Sequence, residues 1–297
     1  MIHARSRRRP SSILLATDFQ QPAKRAFLHG VKLATALGAR LEMLHVIKTP
    51  TDESGSAPDS RYLRSVKTAA LLELGRLARV AKEGGASVHP LLRYGDPAAC
   101  ILETVERTHA GLIVMGTEGR IGWDRLRLGS AASAVVRSAP CPVLTVHGDL
   151  AGDVPRHPAR VRLSRLLVAT DFSRVADAAF RRAARLAVTL AASVRVVHAY
   201  APSSDGRHAE RKVEARVEEL RRAGVEADAR CLGGEPVETI LAQAAAWQAD
   251  LLAVGTQGRR GLHRLVLGSV AEELLKRAGC PVLTVGPKCS HEKRAWP

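Results

Sequence analysis

Two short stretches of the chain hold the residue types that can do chemistry. Gly116-Thr117-Glu118-Gly119 is followed, after nine residues, by Gly129-Ser130; Gly255-Thr256-Gln257-Gly258 is followed, again after nine, by Gly268-Ser269. Glycine leaves no Cβ between the backbone and an approaching anion. The N–H groups at a helix start are unpaired, and the positive end of the helix dipole lies there, which suits a phosphate. Ser130 and Ser269 stand at that point, where a hydroxyl either caps the helix or donates to a phosphate oxygen. The chemistry indicated is phosphate binding. Evidence for bond breaking is thin: the chain has no phosphate loop ending in Gly-Lys-Ser/Thr, no dinucleotide fingerprint and no Gly-x-Ser-x-Gly elbow.

The elements that must position these loops read directly from the pattern. Apolar runs precede them, Leu112 to Met115 and Leu251 to Val254, and amphipathic stretches follow, Ala131 to Ser138 and Val270 to Arg277. The order is buried strand, glycine loop, helix. Upstream, short apolar strands end at Asp18 and Asp171, each a candidate ligand or helix N-cap. Second strands run Leu41 to Val46 and Val194 to Ala199; their histidines, His45 and His198, lie inside apolar runs and read as packed rather than as general bases. Asp96-Pro97 and Glu235-Pro236 open helices in the expected way.

These series are copies. Asp18 maps to Asp171 and Val46 to Ala199 with a shift of 153, whereas Gly95 maps to Gly234, Gly116 to Gly255 and Cys141 to Cys280 with a shift of 139. The difference falls in one place, the loop and helix after strand two, where a shortened loop accounts for it. Alternating strands and helices predict an α/β fold: two open-twisted, parallel five-stranded sheets with helices on both faces. The expected divisions are a first domain over 1–147 with a basic tail at 1–11, a linker at 148–160, a second domain over 161–287 and a loose tail at 288–297. Ligands of such sheets bind at the carboxyl ends of the strands, where strand order reverses. If strands one and four are neighbours there, aspartate and glycine loop face one pocket.

Composition narrows the class. Of 297 residues, 46% are hydrophobic but only 3% aromatic, so the cores are built from Ala, Val and Leu. The net charge of +16 raises the prospect of polyanionic partners, but the arginines are dispersed along the chain, as on a solvated basic surface. Few aromatics and no gathered cationic patch make nucleic acid an unlikely partner. The five cysteines form no Cys-x-x-Cys pair, so neither a zinc site nor a disulfide framework is expected, and no metal ligands are assigned. The basic start, Met1 to Pro10, has no apolar core behind it, and no apolar run approaches the roughly 18 residues of a membrane span. A cytoplasmic protein with no membrane partner is expected.

With these residues in view, the chain resembles a tandem universal stress protein, with two domains of the UspA type. The resemblance rests on the full Gly-x2-Gly-x9-Gly-Ser pattern in both copies, on Ala16-Thr17-Asp18 and Ala169-Thr170-Asp171 after strand one, and on His45-Val46 and His198-Ala199 ending strand two. It covers nearly all the chain except the tails and linker. It implies a Rossmann-like, adenine-nucleotide fold with strand order 3-2-1-4-5, and ATP as the bound cofactor, with Mg²⁺ as a possible companion. It implies one site at Ala16, Asp18, Val46, Met115, Gly116, Gly119, Gly129, Ser130 and Ala131. A second would be Ala169, Asp171, Ala199, Val254, Gly255, Gly258, Gly268, Ser269 and Val270. It also implies pairing of the two domains through strand five, Val143 to Val146 against Val282 to Val285, with a homodimer as a further possibility.

The function expected is nucleotide-responsive regulation in a stress response; the alternatives are a slow ATPase of the same fold, for which no catalytic residue can be named, and a basic nucleic-acid-binding stress protein. The loops differ in charge. The first carries Glu118 and Asp124 beside Arg120, Arg125 and Arg127; the second has Gln257 and His263 at the matching places, with Arg259, Arg260 and Arg264. The second site is therefore expected to hold ATP more tightly.

Overall fold

Strands whose two faces are both covered by helices need apolar residues at every position, and that is what the central strands contain. The computed structural model describes residues 12–48, 60–117, 128–147, 157–201, 206–258 and 267–289. The first half runs β1 (Ser12–Ala16), α1 (Gln21–Leu37), β2 (Arg40–Ile47), α2 (Ser60–Glu83), β3 (Val88–Tyr94), α3 (Pro97–Thr108), β4 (Leu112–Gly116), α4 (Ser130–Ser138) and β5 (Val143–Val146). The second runs β6 (Arg165–Ala169), α5 (Arg174–Leu190), β7 (Ser193–Tyr200), α6 (Arg207–Arg222), β8 (Ala227–Gly233), α7 (Pro236–Ala246), β9 (Leu251–Gly255), α8 (Ser269–Arg277) and β10 (Val282–Val285).

The strands form one ten-stranded sheet in the order β3-β2-β1-β4-β5-β10-β9-β6-β7-β8. Each half is parallel and has the 3-2-1-4-5 order. Where the halves meet, β5 and β10 run antiparallel, with Leu144 opposite Leu283. Thr145 Oγ1 donates to Val282 O at 3.2 Å, and Thr284 Oγ1 donates to Val143 O at 3.1 Å, a two-fold exchange that satisfies both buried hydroxyls. It also removes two sheet edges. Because this one pair is antiparallel, the strand carboxyl ends of the two halves point in opposite directions.

Side-chain alternation builds one core on each face. Ile13 and Leu15 of β1 join α1, α2, α5 and α6 on one side, while Leu14 and Ala16 join α3, α4, α7 and α8 on the other. The outer strands carry a charge exchange between the halves. In the first, Glu42 on β2 is 1% exposed and is bound by Arg40 and, from β3, by His89 at 2.7 Å. At the equivalent register in the second, Arg195 on β7 pairs with Asp228 on β8 and lies 4.8 Å from the centre of the Trp247 ring. A buried carboxylate and a partly buried guanidinium thus occupy equivalent places; Glu42 is paired by Arg40 of its own strand, Arg195 by Asp228 of the neighbouring one.

Three expectations need correction. The end of the expected linker is ordered: Pro158–Arg160 is a short 3-10 turn, with Pro158 buried over Gly84 beside Val31. The start of the expected loose tail is ordered as well. Pro287–Cys289 forms a second 3-10 turn, Cys289 is buried against Ala178, Ala179 and Val285, and Lys288 Nζ donates to Ser138 O at 3.2 Å. Apolar and carbonyl partners on the facing elements outweigh the polar local sequence in both places. The difference between the halves after strand two also involves more than a loop, since α2 has 24 residues and α6 has 16.

Candidate functional site

Strand order puts β1 beside β4 and β6 beside β9, with the chain leaving the sheet at each of their carboxyl ends. At β6 the turn is built by its own side chains. Phe172 N–H donates to Thr170 Oγ1 at 3.0 Å and Ser173 N–H to Asp171 Oδ1 at 2.9 Å. His198 Nδ1–H donates to the Thr170 carbonyl at 2.7 Å, and its ring lies 4.6 Å from that of Phe172, which has a left-handed φ of 61°. The first half repeats the turn: Phe19 N–H to Thr17 Oγ1 at 3.1 Å, Gln20 N–H to Asp18 Oδ1 at 3.0 Å, and His45 Nδ1–H to Thr17 O at 2.8 Å. The histidines are therefore structural, and they hold an uncommon backbone conformation in place. Neither aspartate caps a helix: Ser173 caps α5, accepting from Ala176 N–H at 3.2 Å, and Gln20 stands at the start of α1 without a side-chain cap.

Helix starts differ in a way that matters. Asp96, Ser173 and Glu235 close α3, α5 and α7 with side-chain oxygens. Gly129 and Gly268 start α4 and α8 with no side-chain cap, which leaves Ser130 and Ser269 at the first helical position, exposed rather than capping. The first-turn residues of α8 line a cleft of about 580 Å³ at the carboxyl ends of β6, β7 and β9.

All nine residues expected of the second site line this cleft. Ala169 and Asp171 come from the end of β6, Ala199 from β7, Val254 and Gly255 from β9, Gly258 from the loop, and Gly268, Ser269 and Val270 from the start of α8. The cleft has an apolar end, including Pro236, Ile240 and Leu267, and a polar end made by the loop and the helix start. Among the described residues that line it, Asp171 is the only titratable side chain. The reading of the sequence missed Thr170, Ala176, Pro236, Ile240, Thr256, Gln257, Leu267 and Ala271 as lining residues. The duplication was the available signal, because each except Gln257 has an identical residue at the matching place in the first half.

The glycines have different jobs. A Cβ on Gly255 would lie 2.8 Å from Ala176 N, and one on Gly116 would lie 2.6 Å from Ala23 N, so each lets the first turn of α5 or α1 press on the strand end. A Cβ on Gly258 would meet Asp171 Oδ2 at 2.9 Å. Gly268 N–H donates to Thr256 O at 2.8 Å and brings the helix start back to the loop.

In the first half the same set converges. Ala16 pairs with Met115 across β1 and β4, Gly116 ends β4, Val46 lies on β2, Asp18 follows β1, and Gly129, Ser130 and Ala131 begin α4. Gly119 lies outside the described residues, and so do Glu118, Arg120, Asp124, Arg125 and Arg127. In the second loop Arg259, Arg260, His263 and Arg264 do as well. The charge contrast between the loops remains a reading of the sequence. All five cysteines are free thiols; four are buried, and Cys231 is partly exposed.

A duplicated open-sheet α/β unit, with a glycine loop and an uncapped helix start at each switch point, defines the class. The family is then plain: the universal stress protein family model matches residues 11–147 and 163–286, and the chain belongs to that family. A universal stress protein of Methanocaldococcus jannaschii is 33% identical over 136 residues, covering 45% of this chain and 80% of the relative. One from Thermus aquaticus is 38% identical over 135 residues, covering 46% of this chain and 97% of the relative. The crystal structure of a universal stress protein from Archaeoglobus fulgidus superposes with a TM-score of 0.76 at 22% identity, covering 93% of this chain and 98% of that one, which shows a shared fold. No helix among the described residues is long and apolar enough to cross a membrane.

Proposed function

We propose that this chain binds ATP at the carboxyl ends of its strands, once in each half, and that occupancy alters its contact with a partner protein in a cytoplasmic stress response. The observation that carries the reading is the 580 Å³ cleft of the second half, where an apolar end meets an uncapped helix N-terminus. A purine fits the apolar end, between Ala169, Ala199, Ile240 and Val254. The phosphates fit the polar end, where the backbone N–H groups of Gly268 to Val270 and the Ser269 hydroxyl can donate to them. Asp171 sits between these ends, placed to accept from a ribose hydroxyl.

Among the described residues of the lining one carboxylate is too few for a dedicated Mg²⁺ cage, so any Mg²⁺ would arrive on the phosphates. The described groups of the chain bind and orient; among them none is read as a general base. The β5–β10 pairing supports reading the chain as an internal dimer of its two halves. A further homodimer is tested by sedimentation.

The first test is acid release of nucleotide from natively purified protein, with moles counted per chain. About two ATP per chain supports both sites. One ATP, lost in Gly268→Val but not in Gly129→Val, assigns binding to the second cleft alone. No nucleotide on purification, together with no binding of added Mg·ATP, overturns the proposal.

A further inference from the structure

The two sites are close copies, and the few differences between them are placed where they would matter. Ala199, Val254, Gln257 and Val270 stand where the first half has Val46, Met115, Glu118 and Ala131; every other residue lining the second cleft has the same type at the matching position. Two of the exchanges, Ala199 for Val46 and Val254 for Met115, fall on the strand-end wall of the apolar end. Both make the second site the smaller-walled one: valine carries two carbons more than alanine, and methionine reaches further than valine. The third apolar exchange goes the other way, because Val270 replaces Ala131 at the helix start.

Met115 and Val254 are buried, and Val46 and Ala199 are half-buried beside them at the strand ends, which gives the exchange a steric consequence. Met115 is 5% exposed and Val254 6%. Val46 packs against the cluster that holds Ala16, Ile101 and Met115, as Ala169, Ile240 and Val254 cluster in the second half. Close-packed walls do not yield freely, so a missing pair of methyl groups is felt as space.

Resting on the ATP reading above, we infer that the two clefts differ in base selectivity: the second accepts adenine nucleotides carrying a substituent on the base, and the first excludes them. One or two methyl-sized groups in an apolar pocket discriminate by about 10- to 200-fold. The two sites of one chain would then take different members of one ligand class, with Ala199 and Val254 setting the wider specificity.

The test is calorimetric titration with ATP and with ATP analogues substituted at N6, C2 or C8. In the wild type, ATP should titrate at two sites per chain and at least one analogue at a single site. Ala199→Val should weaken that analogue at least tenfold. Val46→Ala with Met115→Val should raise its stoichiometry toward two. Thermal unfolding of each variant separates a folding defect from a change in the pocket. The inference is overturned if every analogue matches ATP in stoichiometry, if none binds, or if Ala199→Val leaves the analogue site intact. Failure of ATP itself to bind overturns the reading of the site instead.

Discussion

Asp171 and Gly258 are matched across the mouth of the second cleft: the aspartate's Oδ2 lies 2.9 Å from where a Cβ on Gly258 would be. Asp171 is also fixed from behind, its Oδ1 accepting from Ser173 N–H at 2.9 Å. The carboxylate is therefore held between a helix start and a loop that can approach only because residue 258 has no side chain. Gly258→Ala must displace either the loop or the acid. Nucleotide affinity should fall at least tenfold, while stability changes by less than about 1 kcal/mol, since the contact is at the edge of the fold. Calorimetry paired with urea unfolding checks this; equal affinity in the variant would show that the contact is idle.

Gly255 and Gly116 should behave differently. Their absent side chains are occupied by backbone atoms of α5 and α1, which cannot rotate aside. Alanine at either place should cost about 1–3 kcal/mol, the range for overpacking. Gly75 supplies the contrast within the same fold. It lies inside α2 with nothing within 4 Å of a Cβ, so Gly75→Ala should raise stability by about 0.5–1 kcal/mol through helix propensity. Chemical denaturation of the three variants tests the ordering.

The exchanged charges on β2 and β7 predict a rescue. Glu42→Arg would bury a cation beside Arg40 and His89 and should cost about 3 kcal/mol or more. Adding His89→Asp recreates the Arg195–Asp228 arrangement of the other half and should restore much of that loss. A double-mutant cycle with no coupling between the two changes would show that the register equivalence has no energetic content.

His29 gives the fold a pH dependence. It is buried in α1 and donates from Nδ1 to Arg25 O at 2.9 Å; burial, helped by the Arg25 charge and opposed by that hydrogen bond and by Asp250, holds its pKa below the usual value. The unfolded chain therefore takes up the proton first. The His29 contribution is fully present above about pH 6.5 and is lost as pH falls from there toward the depressed folded value. Unfolding midpoints measured from pH 7.5 to 5 should drop, and the drop should be smaller in His29→Gln.

How much of this was legible in the sequence depended on whether one chain segment carried the information. Most strands and helix starts were, because local apolar runs, Asp96-Pro97 and Gly38 act within a few residues, although β8 lies two residues later than its apolar run suggests; Gly38 closes α1 with a φ of 62° as its position suggests. The duplication also set the two candidate sites in register, since a pair of shifts ties Asp18 to Asp171 and Gly129 to Gly268. What stayed hidden involves two distant segments. The job of Gly255 is set by Ala176, nearly eighty positions away, and the cap of α5 falls to Ser173 because Asp171 is engaged in its own turn. Pro158 and Cys289 looked like linker and tail because their partners lie on other elements.

The antiparallel join of β5 to β10 has a consequence for recognition. It turns a repeated sequence into a two-ended molecule, with one proposed mouth at each end of the sheet rather than two side by side. A small partner can cover one mouth and leave the other open to solvent. Reading both states at once takes a partner that spans the sheet, or two copies of a partner, so the stoichiometry of a captured complex reports which ends are being read.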